Sequence, residues 1–231
     1  MSLHYQKELK HIDKIVRKLI GHVEQNFADM QTVLTHFDEE LARKTIKHDK
    51  KIDKLEIEIQ EECLKTLALY HPMGTDLRYI VMLLRVNRDL ERLGDLISSI
   101  CRRLILLNEQ GYKYENLFAH FVENAKAIMI SSFDVLYRLD SNLAYSVIEQ
   151  ASILAPEKKE QKELLVSSVK SSPEQLEIGL QLIGILRHIE RVGDHAANIA
   201  KDVIYFGKGE IVRHSVVAEN GQLLSGSGEL G

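Results

Sequence analysis

Residues 83–107 read LLRVNRDLERLGDLISSICRRLILL. Within them Leu83, Val86, Leu90, Leu93, Ile97, Ile100, Leu104 and Leu107 recur at alternating steps of three and four. That spacing lines one side of an α-helix with apolar side chains and predicts the seam of a helix packed in a bundle. Ile52, Leu55 and Ile59 repeat it upstream. No stretch reads as period-two alternation bounded by hairpin dipeptides, so strands are not needed. The three prolines stand at 72, 156 and 173, and only seven of thirteen glycines precede residue 207. Breaks are expected near Phe37-Asp38, at His71-Pro72-Met73-Gly74, at Asn108-Glu109-Gln110-Gly111, near Leu139-Asp140 and at Ser171-Ser172-Pro173. They leave about six helices, several of about 30 residues and hence about 45 Å long. The predicted fold class is all-α.

The whole chain agrees with a packed helical protein. Its 231 residues are 45% apolar and 28% charged, with a formal net charge of −4, which excludes disorder and argues against a general nucleic-acid binder. Cys63 and Cys101 form no C-x-x-C pair and are expected as small core residues. Residues 1–7 lack the apolar centre of a signal peptide, and no apolar run approaches the roughly 18 residues of a membrane span. A cytoplasmic location is the expectation.

An internal repeat organises the chain. Arg88-x-x-Glu91-Arg92-x-Gly94-Asp95 returns 99 residues later as Arg187-x-x-Glu190-Arg191-x-Gly193-Asp194. Further upstream the offset is 102: Val33-Leu34 match Val135-Leu136, Asp38 matches Asp140, Leu41-Ala42 match Leu143-Ala144, and Ile46 matches Ile148. The sequence thus predicts two tandem, pseudo-symmetric three-helix bundles, residues 4–108 and 115–207, followed by a flexible tail, 208–231.

The repeated motif carries the chemistry. On a wheel with Leu90 at zero, Leu93 falls at about 300°, and Glu91 and Asp95 at about 100° and 140°. The two carboxylates are therefore expected to share a face turned away from the core. Like charges at i, i+4 cost a helix about 0.2–0.5 kcal/mol, so something must favour the pair. Arg88 and Arg92 offer an ordinary solvated balance; a divalent or iron-type cation offers another, with water completing its shell. The preceding helix lines up Asp49, Asp53 and Glu56, and four or five acids would converge if that stripe faced Glu91 and Asp95. With Lys50, Lys51 and Lys54 beside them, the same acids also read as a plain charged helix.

Under the 102-residue offset, Asp49 and Asp53 correspond to Ala151 and Ala155, and Glu56 to Lys158. Pro156 falls inside the matching helix, at a cost of about 3 kcal/mol unless the helix bends or restarts. A second cation site would rest on Glu190 and Asp194, with Glu157 or Glu160. His188 and His195 fall on another side of the wheel and are expected to pack rather than ligate. Glu8-x-x-His11 has di-iron spacing but no second copy. Gly94 and Gly193, mid-helix, predict close approach of another helix or a ligand.

Glu91-Arg92-Leu93-Gly94-Asp95 and Glu190-Arg191-Val192-Gly193-Asp194-His195-Ala196-Ala197-Asn198-Ile199, with Pro72-x-x-x-Asp76-Leu77-Arg78-x-Ile80 and the ending Gly209-Glu210-Ile211-Val212-Arg213-His214, resemble the PhoU family of phosphate-transport regulators. The resemblance implies two similar three-helix bundles whose E/D-x-x-x-D motifs can hold multinuclear iron or other metal clusters. Carried over residue by residue, Asp49, Asp53, Glu91 and Asp95 match in the first unit, and Glu190 and Asp194 in the second; Ala151 and Ala155 depart from the pattern. The resemblance further implies a non-catalytic, homodimeric cytoplasmic adaptor. It would act at the inner membrane face between the ATPase component of a phosphate ABC transporter and a sensor histidine kinase, repressing the phosphate regulon. A carboxylate-cluster metalloenzyme and a purely structural bundle are the competing readings.

Overall fold

A computed structural model describes residues 3–209, 215–217 and 223–225. The first unit comprises α1 (Leu3–Thr35), α2 (Glu39–Tyr70) and α3 (Thr75–Glu109). The second comprises α4 (Ala119–Arg138), α5 (Ser141–Ser152), α6 (Leu154–Ser171) and α7 (Leu176–Lys208), with one 3-10 turn, Pro173–Gln175, before α7. The six long helices are present, the fifth divided into α5 and α6. All eight seam residues of α3 are buried, as are Ile52, Leu55 and Ile59 of α2.

Local chemistry sets the ends. The repeated aspartates cap their helices: Asp38 accepts from the Leu41 N–H at 2.9 Å, and Asp140 from those of Asn142 and Leu143 at 2.8 and 3.2 Å. Each satisfies backbone donors that the first helical turn leaves without partners. At the far end of α2, His71 is left-handed and returns its N–H to the Leu67 carbonyl, after which Pro72 stops the helix. The α5/α6 division answers the cost expected of Pro156. The helix restarts at Leu154, which places the proline in a first turn, where a missing N–H removes no intrahelical bond.

The third helices of the two units pack on each other. Arg85 pairs with Asp202 at 3.3 Å, Asp89 with His195 at 2.7 Å, and Arg103 with Gln181 at 2.6 Å, so α3 and α7 run antiparallel. α1 and α4 meet alongside, where Lys126 donates to Gln31 at 2.8 Å. No described helix is long and apolar enough to cross a membrane.

Beyond α7 the sequence led us to expect no strand, yet β1 (Ser215–Val217) and β2 (Leu223–Ser225) pair antiparallel, Val216 opposite Leu224. The signal was Asn220-Gly221, a hairpin dipeptide between them. The rest of the expected flexible tail, including the Glu210–His214 part of the family-like ending, lies outside the described residues.

The caps make a direct prediction. Asp38→Ala and Asp140→Ala should each lower stability by about 1 kcal/mol, measured by urea unfolding, while the asparagine variants stay near wild type.

Candidate functional site

Gly94 determines how close α2 comes to α3. A Cβ there would stand 2.7 Å from Asp49 Oδ1 and 3.0 Å from Ile52 Cδ1, so α2 lies nearer than any side chain would permit. The approach buries Asp49, 6% exposed, and leaves its Oδ1 without a hydrogen-bond partner. Burial pushes the Asp49 carboxyl up from 3.8 to about 6, with the Asp53 and Asp95 charges adding to it. Ser98 pulls the other way, although its Oγ and Asp49 Oδ1 do not meet in hydrogen-bonding geometry.

The rest of the stripe converges on the motif. Glu91 is pushed up from 4.5 to about 7, by burial first and then by the Asp95 charge, with Arg92 opposing. Glu56 is raised by burial and by Asp53. Arg92 lies 3.5 Å from Glu91 and 3.0 Å from Asp95. The face is therefore not turned cleanly outward as the wheel suggested: the Glu91 side chain is 23% exposed and Asp95 46%, because α2 covers its inner edge. This hard-oxygen donor set, with one unpartnered buried oxygen and three carboxyls held above their ordinary values, suits a cation electrostatically. Among the described residues, however, no three acidic, histidine or cysteine side chains gather into a set that could hold one ion. The residues fit an open, partly hydrated cation face rather than a closed cage.

The second unit departs from the first where the repeat offset places Ala151, Ala155 and Lys158. A Cβ on Gly193 would run into Leu154 Cδ1; buried Leu154 is the counterpart of Ile52 under the 102-residue offset, while Ala151 stands where the first unit has Asp49. The register of the repeat is kept across the break at Ile153. Lys158 then pairs with Glu190, supplying a tethered cation where the first unit has acids. Glu157 does not support the motif: it bonds His120 and Asn124 of α4, each at 2.9 Å. Asp194 and Glu160 are exposed. Desolvation and then Glu190 raise the Asp194 carboxyl, an effect that water mutes at an exposed side chain.

His195 bonds Asp89, and His188 Nδ1 is buried without a partner. Burial and then Arg103, Arg187 and Arg191 lower His188 to about 4. Glu8 sits 3.9 Å from Lys65. Cys63 and Cys101 are buried free thiols, pushed by burial to about 12, too high for thiolate chemistry. The Leu154 contact and the Lys158–Glu190 pair both sit at the repeat register, as the counterparts of Ile52 against Gly94 and of Glu56 beside Glu91.

The fold and the repeated face define a class, the tandem three-helix-bundle proteins with one acidic motif per bundle. The PhoU domain family matches residues 16–104 and 118–203, and the chain belongs to the PhoU family. It is 30% identical over 210 residues to the phosphate-specific transport system accessory protein PhoU homolog 1 of Thermotoga maritima, covering 90% of each chain. The crystal structure of PhoU from Pseudomonas aeruginosa superposes with a TM-score of 0.85 at 32% identity, over 89% of this chain and all of that one. That of the phosphate transport system regulatory protein PhoU from Streptococcus pneumoniae gives 0.83 at 23% identity, over 90% and 98%, a likeness of fold.

The raised carboxyls set a pH dependence. Because Asp49 and Glu91 titrate higher in the folded chain, that chain binds more protons than the unfolded one between about pH 4 and pH 7. Their stabilising contribution is complete below this window and is lost as pH rises through it. With a chelator present, urea unfolding should show stability falling from pH 5 to pH 7.5. Asp49→Asn should flatten the fall and gain about 1–3 kcal/mol at the higher pH; an unchanged slope would remove Asp49 from the account.

Proposed function

We propose that the chain is a cytoplasmic adaptor of phosphate uptake and signalling. It connects the ATPase component of a phosphate ABC transporter, at the inner membrane face, to a sensor histidine kinase, and it represses the phosphate regulon when phosphate is plentiful. The observation that carries this reading is the near end-to-end match to a phosphate-transport accessory protein, 90% of both chains, with both repeats matched by the family. The role asks for no chemical step. Long helices with exposed flanks provide docking surface, and a homodimer is the assembly we expect.

Within this role we assign cation binding to the first unit, held by Glu91 and Asp95 with Asp49 and Asp53 reaching from α2. A bound cation would neutralise crowded carboxylates and leave the two bundles in different charge states. Glu190 and Asp194 form the weaker face, since Lys158 already neutralises Glu190.

Deleting the gene should turn on phosphate-starvation genes in phosphate-rich medium, read by transcript levels. A wild-type pattern there would overturn the adaptor reading. Metal content after gentle purification, by elemental analysis, should fall in Glu91→Ala and Asp95→Ala. Equal and negligible metal in every sample would reduce the acids to solvation.

A further inference from the structure

Where α3 and α7 pack, their seam opens into a cleft of about 620 Å³. Five arginine and lysine side chains line it against two carboxylates. Both acids are already engaged, Asp202 by Arg85 and Asp89 by His195. Arg85 is further held over the ring of Tyr205, 4.6 Å from its centroid. That leaves Arg88, Arg92, Arg191 and Lys201. Arg92 leans toward Glu91 and Asp95 on its other side; Arg88, Arg191 and Lys201 make no ion pair among the described residues.

This charge follows from the duplication. Arg92 and Arg191 are the same residue of the repeated motif, and the antiparallel packing of α3 on α7 turns both into one cleft. Like charges held together on packed helices are unfavourable unless a counter-ion joins them. The pairings of Arg85 with Asp202 and Asp89 with His195 order the cleft. Lys201 lies at one end, Arg92 and Arg191 at the other, and Arg88 between. Arg191 and Lys201 are ten residues apart on α7, about 15 Å along its axis, too far for one phosphate to bridge. No Phe, Tyr or Trp is among the lining residues, and the His195 imidazole is already held by Asp89, so the cleft offers a nucleobase little stacking surface. Arginine forks suit phosphoryl oxygens, and Asn198 adds a neutral donor.

We propose that this cleft binds a linear oligophosphate anion, gripped by Arg92 and Arg191 and extending past Arg88 to Lys201. The site borders the acidic face, with which it shares Arg92, and needs no metal. To test it, the full-length chain is titrated calorimetrically with tripolyphosphate, inorganic phosphate and sulfate. A chelator is present, so that no anion is bridged through a cation, and the salt is about 0.15 M, to screen diffuse attraction. Tripolyphosphate should bind saturably at one site per chain and at least about tenfold tighter than phosphate or sulfate. Arg191→Gln with Lys201→Gln should weaken it by about tenfold or more, whereas Lys14→Gln, an exposed charge on α1, should leave it unchanged. Arg191→Lys, which keeps the charge and loses the fork, should fall between and guards against a misfolded double variant. Absence of saturable binding, equal loss in Lys14→Gln, or binding only to vesicles bearing anionic phospholipid headgroups would each overturn the proposal.

Discussion

Everything in this molecule hangs on the antiparallel contact of α3 with α7. Each is the third helix of its unit, each carries the same motif, and each gives its apolar seam to a bundle core while presenting another side to its counterpart. A helix buried on that many sides has few directions left in which to display charge. The acids of α3 emerge along the edge shared with α2, and the arginines emerge at the junction with α7. The modest net charge of the chain, −4, conceals a negative flank and a positive centre.

The glycines of the motif impose the second constraint. Gly94 and Gly193 forgo helix propensity, and in both units that space is filled by the neighbouring helix. What fills it differs: Asp49 together with Ile52 from α2 in one case, Leu154 of α6 without a carboxylate in the other. One unit thereby stores an unneutralised charge beneath its acidic face and the other an apolar plug beside an internal ion pair. The same backbone solution supports an electrostatically strained face and a relaxed one.

Much of the fold could be read from the chain because helix seams, caps and the repeat are all local signals. The three-four spacing located the core of α3, and Asp38 and Asp140 marked helix starts before their capping bonds were seen. Gly94 announced a close approach. The candidate site was only half legible. Sequence spacing indicated which acids share a stripe, but burial of Asp49 and Glu91 depends on the tilt and depth of α2, which no pattern encodes. In the second unit the repeat offset locates the residues that meet the motif, Leu154 for Ile52 and Lys158 for Glu56, but the pairing of Lys158 with Glu190 is a matter of side-chain reach. Asn220-Gly221 is a hairpin dipeptide, but three-residue strands on either side of it are too short for alternation to reveal. The arginines were weighed only as balances for neighbouring acids, since their meeting in one cleft is a property of the antiparallel packing.

The restart at Leu154 also changes how the molecule can open. Leu154 is the one fully buried apolar side chain of α6 among those described, in contrast to the long buried stripes of α1, α3 and α7. Detaching α6 exposes little apolar surface, and the break before it supplies a natural hinge. Local opening free energy scales with the burial surrendered, so the two bundles have unequal cooperativity. The first opens as a unit, whereas the second has a cover that can lift while α4 and α7 stay packed. A chain built by duplication has thereby acquired one stiff half and one compliant half.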